Sequence, residues 1–227
     1  MKKLIILAVM AFVGTAAQAQ IYESSSSTKK KSEVITRFYV RASAGLNTAL
    51  GANTYGDGRM GGSYGYPSDV SGIFGGALGI GIQRTIGKNG LYWGAEAGLA
   101  THGCQVKYGW PLYDDMGGDP VVYQEEETQR GAGVYLMPNL GWRFNIGNNL
   151  WLDPHVGVFG YFSWDPAGHD YGNGVRNEWE SLDFGAAAGV GLWIGKFNID
   201  LQVRGGFVEM SDDARTLSVL AGIGYQF

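Results

Sequence analysis

Seven charged side chains occur one at a time in segments that otherwise alternate between apolar residues and small or polar ones. They are Arg41, Glu96, Arg143, Asp153, Asp183, Asp200 and Arg204. Three arginines set against four carboxylates can form ion pairs, or they can line a path along which ions pass. Because an isolated charge is costly to remove from water, pairing is the expected state wherever these positions are buried.

One segment carries Asp153, His155 and Ser163, which are the residue types that a hydrolase would use. A nucleophile and its base must be in hydrogen-bond contact, and Ser163 lies too far along the segment from His155. No HExxH, GxSxG or phosphate-loop motif occurs in the chain. We therefore predict no catalytic residue and no cofactor, and we interpret His155 as a hydrogen-bonded interior histidine.

A metal site is not predicted either. His169 and Asp170, together with Glu178 and Glu180, could hold a cation at the surface, but a solvated loop is the expected interpretation. The single Cys104 cannot form an internal disulfide, and we interpret it as an unreactive loop thiol.

The segments that carry these residues have a period of two, which indicates β-strands. In one of them Phe197, Ile199 and Leu201 alternate with Asn198 and Asp200. Each segment is long enough for the roughly 9 to 11 residues of a tilted strand that crosses a bilayer. The eight segments span residues 38–46, 74–83, 91–99, 134–144, 150–162, 182–194, 197–207 and 217–227.

The second face of these strands consists mostly of Gly, Ala, Ser and aromatic residues with isolated charges, and the chain has 38 glycines. A face in water would carry many Lys, Glu and Asp side chains, whereas small residues fit a narrow interior. The apolar face therefore points to lipid rather than to a ligand inside a soluble barrel. Aromatic residues near the strand ends suit the membrane interfaces; they are Trp93, Trp142, Phe144, Phe162, Phe197, Phe207 and Tyr225.

The amino terminus has the pattern of a secretory signal. Lys2 and Lys3 precede an apolar run, and the small residues Ala17 and Ala19 follow it, which predicts a signal peptide over 1–19. Its removal changes the formal net charge from −4 to −6, because 15 basic residues remain against 21 acidic ones. This balance excludes a nucleic-acid binder. Residues 20–35 are predicted to be a flexible polar segment.

The connections alternate in length along the chain. The links at 85–90, 145–149 and 195–196 are short, whereas 47–70, 102–128, 163–180 and 209–215 are longer and polar. Short turns on one side and long loops on the other are typical of an outer-membrane barrel. We therefore predict an all-β protein, an eight-stranded antiparallel up-and-down transmembrane β-barrel over residues 36–227.

In its signal, its eight alternating segments, its turn and loop lengths and its terminal aromatic, the chain resembles the small eight-stranded outer-membrane barrel proteins of Gram-negative bacteria. It is most similar to the barrel-domain proteins of Bacteroidota, which share the architecture of the OmpA and OmpX barrels. The resemblance covers 36–227 and implies location in the outer membrane. It also implies that Tyr225 and Phe227 are read by the barrel assembly machinery. No peptidoglycan-binding domain follows Phe227, so anchoring to the cell wall is not expected.

An eight-stranded barrel leaves an interior that side chains can fill. We expect Arg143 to pair with Asp153, and Arg41 and Arg204 to pair with Glu96 and Asp200, which would plug the bore. The alternatives are a narrow pore for ions or small solutes and, less favoured, a lipid-modifying enzyme. The predicted partners are outer-membrane lipid and a protein or glycan ligand of the long loops, whose tyrosines and small polar residues suit adaptable contacts.

Overall fold

The computed structural model describes residues 34–50, 66–86, 90–112, 121–165, 168–170, 176–178, 180–209 and 215–227. The predicted signal peptide (1–19) lies outside these ranges, as does the predicted linker (20–35) except for its last two residues. None of the described residues belongs to a helix long and apolar enough to cross a membrane.

The described part of the chain contains twelve β-strands. In chain order they are β1 (Thr36–Leu50), β2 (Tyr66–Ser71), β3 (Ile73–Thr85), β4 (Leu91–Leu112), β5 (Val121–Trp142), β6 (Phe144–Gly147), β7 (Leu150–Asp165), β8 (Gly168–Asp170), β9 (Arg176–Glu178), β10 (Leu182–Ile194), β11 (Phe197–Gly206) and β12 (Arg215–Gln226).

Eight of these strands close into one antiparallel barrel, which confirms the predicted fold. Their order around the barrel is β1, β3, β4, β5, β7, β10, β11 and β12, and β12 pairs again with β1. Each strand therefore pairs with its neighbours in the chain, and closure leaves the barrel without an open edge. The short β6 follows a break at Arg143 and also pairs with β7.

The tight turns of the barrel lie at one end. Gly195, in the two-residue link between β10 and β11, has φ 59°, and Asn149, in the link to β7, has φ 58°. Glycine and asparagine are the residues that tolerate this left-handed conformation. The third short link, between β3 and β4, lies partly outside the described residues. We call this the short-turn end of the barrel.

Burial follows the alternation that the sequence predicts, with apolar side chains outside and polar ones inside. In β11 the outward Phe197 and Leu201 are exposed, whereas the inward Asn198, Asp200 and Gln202 are buried. Exposed fractions reach 67% at Phe74 and 69% at Ile223. Such a surface would be unfavourable in water, so its natural solvent is the hydrocarbon of a bilayer.

Aromatic side chains mark both edges of the apolar surface. At the short-turn end Trp142 stacks on Phe144 at a ring-centroid distance of 5.1 Å, and Tyr225 contacts Phe197 at 5.3 Å. Towards the opposite end Phe184 meets Phe207 edge to face at 6.1 Å. The predicted interfacial aromatics therefore lie where a bilayer would place its headgroup layers.

The expectation of loops over 47–70 and 102–128 needs correction. Strands β4 and β5 remain paired from the Leu91–Trp142 register to the Leu112–Val121 register, so most of the second predicted loop is a long hairpin. The edge strand β2 pairs with β4 and occupies the end of the first predicted loop. A period of two is present here, since Cys104 and Val106 alternate with Gln105 and Lys107, but the polar and acidic character of the segment favours a loop. Residues 51–65 and 113–120 lie outside the described part.

Candidate functional site

The middle of the barrel holds four of the predicted interior charges within ion-pair distance. Arg41 Nη1, from β1, lies 3.3 Å from Glu96 Oε2 on β4 and 3.2 Å from Asp200 Oδ1 on β11. Arg204 Nη2 lies 3.8 Å from Glu96 Oε1. The four residues, which we call the central cluster, are between 1% and 7% exposed. Two arginines and two carboxylates balance in formal charge.

Two tyrosines complete the coordination of Glu96. The Tyr39 hydroxyl donates to Glu96 Oε2 at 2.9 Å, and the Tyr135 hydroxyl donates to Oε1 at 2.6 Å. The guanidinium of Arg204 lies over the Tyr135 ring, with Cζ 4.4 Å from the ring centroid. Charge-assisted hydrogen bonds of this length satisfy a carboxylate that is removed from water. The sequence placed both tyrosines on the inward face but gave no sign of this role.

Glycines provide the space that lets these tyrosines lie against the barrel wall. Gly81 on β3 is directly opposite Tyr39, and a Cβ built on it would fall 2.2 Å from the Tyr39 ring. Gly141 on β5 is opposite Tyr92 in the same way, with a distance of 2.2 Å to the hydroxyl. A tyrosine facing a glycine across two strands is the sequence signal that could have identified these donors, once the register was known.

Asp153 anchors a second cluster nearer the short-turn end. Its Oδ1 accepts a hydrogen bond from the Tyr92 hydroxyl at 2.6 Å, and its Oδ2 accepts one from Trp193 Nε1 at 2.8 Å. Arg143 Nε lies 3.5 Å from the same Oδ2. The Arg143 guanidinium also stacks over Trp193, with Cζ 4.0 Å from the ring centroid. The structure thus brings Arg143 and Asp153 together.

Asp183 lies apart from both clusters, near the long-connection end. Its Oδ2 accepts a hydrogen bond from Thr216 Oγ1 at 2.6 Å. Within the described residues no salt bridge joins Asp183 to a cationic side chain, although it is only 2% exposed. This placement differs from the expectation that every interior charge pairs with an opposite one, because the interior arginines lie lower in the barrel.

An apolar layer adjoins the central cluster on the long-connection side. Met137 Sδ lies 3.7 Å from Gln202 Nε2, and Ala187 is directly opposite Arg204, so the layer touches the charged groups. The layer is formed by buried residues from five strands, namely Ala77, Tyr135, Met137, Phe159, Tyr161, Ala187 and Leu220. Side chains of this size fill the interior across its width, as expected for eight strands.

The structure does not assemble the hydrolase set that the sequence suggested. His155 Nε2 lies 3.7 Å from Asp200 Oδ2, and its Nδ1 lies 3.1 Å from the backbone oxygen of Asp153. Ser163 donates instead to the backbone oxygen of Ala132 at 3.0 Å. Ser163 lies eight residues after His155 on the same strand, so the two are about 26 Å apart. His102 Nδ1 lies 2.7 Å from the Tyr161 hydroxyl.

Metal ligands do not cluster within the part of the chain that the structure describes: no group of three His, Cys, Asp or Glu side chains there could hold an ion. The side chains of His169, Asp170 and Glu178, which the sequence suggested for a cation, lie outside the described residues. Cys104 belongs to β4 rather than to a loop. Its side chain is 2% exposed, and it lies in the part of β4 that extends past the apolar band. Burial raises the pKa of its thiol to about 12.

The carboxyl-terminal aromatic residues complete the short-turn edge of the barrel. The Tyr225 ring lies edge to face with that of Phe227 at 5.5 Å, and the Phe227 backbone N–H donates to the Phe38 oxygen at 3.0 Å. Phe227 is 68% exposed on the lipid-facing side. Its recognition during assembly stays a prediction.

Closed strand pairing, an apolar exterior and a charged, filled interior together define an eight-stranded transmembrane β-barrel. No protein-family model matches the chain, and no curated protein is similar to it in sequence. Among solved structures it is similar to Ail, the attachment invasion locus protein of Yersinia pestis, in complex with the heparin analogue sucrose octasulfate. Identity is 15%, coverage is 85% of this chain and 99% of that chain, and the TM-score is 0.39.

Two further solved barrels are similar at the same level. Neisserial surface protein A is 15% identical, with coverage of 84% of this chain and 97% of that one and a TM-score of 0.41. The N-terminal β-barrel domain of Pseudomonas aeruginosa OprF is 12% identical, with coverage of 83% and 97% and a TM-score of 0.35. The strand pairings of this chain define its fold.

Proposed function

We propose that this protein is an integral outer-membrane barrel that catalyses no reaction, seals its own bore and presents a surface outside the cell. The signal peptide over 1–19 directs it through the inner membrane. Its barrel contributes to the envelope as a stable, lipid-embedded element. Partners on this proposal are outer-membrane lipid, the barrel assembly machinery and a protein or glycan that contacts the long connections.

The burial of the central cluster is the observation that carries this proposal. An ion path requires charged groups that water can reach, whereas Arg41, Glu96, Asp200 and Arg204 are all at most 7% exposed. Their charges balance, and both oxygens of Glu96 are occupied by arginine and tyrosine donors. The adjoining apolar layer adds a second barrier, since a passing ion would lose its hydration there.

The surface role is supported by the shape of the β4–β5 hairpin. It extends beyond the last lipid-facing leucine of β4, Leu99, and it carries charged side chains in water. Lys107 Nζ pairs with Glu126 Oε1 at 2.8 Å, and Gln105 Nε2 donates to the same carboxylate at 3.1 Å. A paired, polar hairpin is a rigid platform for a partner, because little conformational entropy remains to be lost on binding.

An ion-flux assay tests the sealed interior. The mature chain is folded into vesicles loaded with potassium, and its folded state is checked by its heat-dependent migration on a gel. We expect potassium efflux equal to that of protein-free vesicles, with a channel-forming peptide as the positive control. Efflux that rises in proportion to folded protein would favour the pore alternative.

A second assay addresses catalysis. If the barrel has no lipid-modifying activity, the masses of lipid A from cells that express the protein will match those from cells with an empty vector. A mass change corresponding to loss or gain of an acyl chain would contradict the non-enzymatic part of the proposal.

A further inference from the structure

The short-turn mouth of the barrel carries more positive charge than its own carboxylate can neutralise. Arg37 on β1 lies on the inward face, since Phe38 is exposed and Tyr39 is buried. It is directly opposite Gln83, and Gln83 Oε1 accepts a hydrogen bond from Arg143 Nη2 at 2.5 Å. Two guanidinium groups therefore face the same small volume.

Asp153 is the one side-chain carboxylate that the described residues place inside this mouth, and it is already occupied. Tyr92 and Trp193 donate to its two oxygens, and Arg143 lies beside it. Within the described residues no salt bridge joins Arg37 to Asp153, and the like charges of Arg37 and Arg143 disfavour each other. Among the inward side chains of this mouth, two cations therefore face one anion.

Both guanidinium groups have a buried N–H without an acceptor. Arg37 Nη1 has no hydrogen-bond partner, although the side chain as a whole is half-buried and reaches the mouth. Arg143 Nε lies at ion-pair distance from Asp153 but not in hydrogen-bond geometry, and Arg143 is 8% exposed. A buried donor left unsatisfied is costly, so an acceptor that enters from the mouth would be stabilised.

We propose that this mouth is an anion site in which Arg37 and Arg143 take a phosphate oxyanion. The planar guanidinium group presents parallel N–H donors that match phosphate oxygens. Lys196, also at this end, adds positive potential that attracts anions. The phosphate can come from free inorganic phosphate or from a phospholipid headgroup at the adjacent membrane surface.

The test measures thermal unfolding of the folded barrel in dodecyl maltoside, a detergent without phosphate. Inorganic phosphate is added at constant ionic strength, with chloride as the replacement anion. A ligand that binds the folded state raises the unfolding temperature in a saturable way. We expect this rise for the wild-type chain and a half-saturation concentration about tenfold higher or more for Arg37→Gln, which loses a charged hydrogen bond.

Arg84→Gln is the matched control. It removes the same charge at the same end, but from the outward face, since Arg84 is adjacent in sequence to the inward Gln83. We expect it to keep the phosphate response. An equal loss of the phosphate response in both variants would mean that general electrostatic attraction causes it, and would overturn the proposed site.

A second arm distinguishes the source of the phosphate. Short-chain phosphatidylglycerol is compared with dioctanoylglycerol, which has no phosphate group. If only the phospholipid stabilises the barrel, and does so through Arg37, the ligand is a lipid headgroup. If inorganic phosphate stabilises it through Arg37, the ligand is the free ion. Arg37→Lys, which keeps the charge but not the planar donor pair, serves if Arg37→Gln does not fold. No Arg37-dependent response in either arm overturns the proposal.

Discussion

Glu96 shows how a single carboxylate is made stable in the interior of the barrel. It receives hydrogen bonds from Tyr39 and Tyr135 and lies beside Arg41 and Arg204, so both oxygens are occupied from four directions. Since a buried ion must recover the hydration it loses, each of these contacts offsets part of that cost. Glu96 therefore obtains its hydrogen bonds and its counter-charges from the interior of the barrel itself.

Removal of one member of this cluster should therefore be felt as a loss of stability. We expect Arg204→Gln to lower the free energy of unfolding by about 3 kcal/mol, because Glu96 and Tyr135 lose a buried charged neighbour. The matched change Arg215→Gln removes a guanidinium that is 53% exposed and pairs with the exposed Glu209. It should cost less than about 1 kcal/mol. Urea unfolding in detergent micelles measures both variants.

An equal loss in the two variants would contradict this account of Arg204. So would an Arg204→Gln chain that keeps its full stability and instead changes the ion selectivity of a current.

At the residue scale the sequence predicts which charges face inward, because alternation assigns each position to a face. Arg143 and Asp153 could be paired from the sequence, since a short turn joins their strands. The tyrosine donors could not, because the contact of Tyr39 with Glu96 depends on a register between strands that are not neighbours in the barrel. The donor to Asp183, Thr216 on β12, likewise depends on strands that are not neighbours in the barrel.

Gly81 illustrates the close packing of one barrel strand against the next. A methyl group at Gly81 would overlap the Tyr39 ring, so we expect Gly81→Ala to cost about 1–3 kcal/mol through overpacking. At Gly160 on β7 nothing lies within 4 Å of the same methyl group, and Gly160→Ala should change stability by less than about 0.5 kcal/mol. Equilibrium unfolding of the two variants gives the comparison. Equal values would show that Tyr39 can move without loss.

The outer face of each barrel strand contacts lipid, which restricts the residues that it can carry. Val156, in the middle of β7, is 60% exposed, and an arginine there would lie near the centre of the hydrocarbon. We expect Val156→Arg to cost about 2–4 kcal/mol in a bilayer. Thr128→Arg, on the exposed face of β5 beyond the apolar band, should cost at most about 1 kcal/mol. Unfolding from lipid vesicles is the measurement, and a tolerated Val156→Arg would contradict a lipid-facing surface.

At the element scale the eight barrel strands could be predicted because lipid on one side enforces apolar residues at every second position. The outer part of the β4–β5 hairpin was harder to predict, because its period of two lies among polar and acidic residues that also suit a loop. Val106 and Cys104 are buried there among polar neighbours, and the pairing with 121–131 keeps the strands together. Hydrogen bonding rather than hydrophobic pattern determines that extension.

The whole molecule is oriented by its turns, with the short-turn end predicted to face the periplasm and the hairpin to face outside. We expect Glu126→Cys to react with a membrane-impermeant maleimide on intact cells, and Lys196→Cys to react only after the outer membrane is opened. Both positions are exposed, so access alone separates them. The native Cys104 is buried with a raised pKa and should stay unlabelled. If Lys196→Cys reacts on intact cells and Glu126→Cys does not, the predicted orientation in the membrane is wrong.

The central claim is that the barrel spans the membrane with a closed bore, and single-channel recording tests it most directly. The mature chain, verified as folded, is inserted into a planar bilayer under an applied voltage. The buried central cluster and the apolar layer predict silence at all voltages at which the bilayer is intact. Discrete and reproducible conductance steps from the folded protein would show a wet interior and contradict the account.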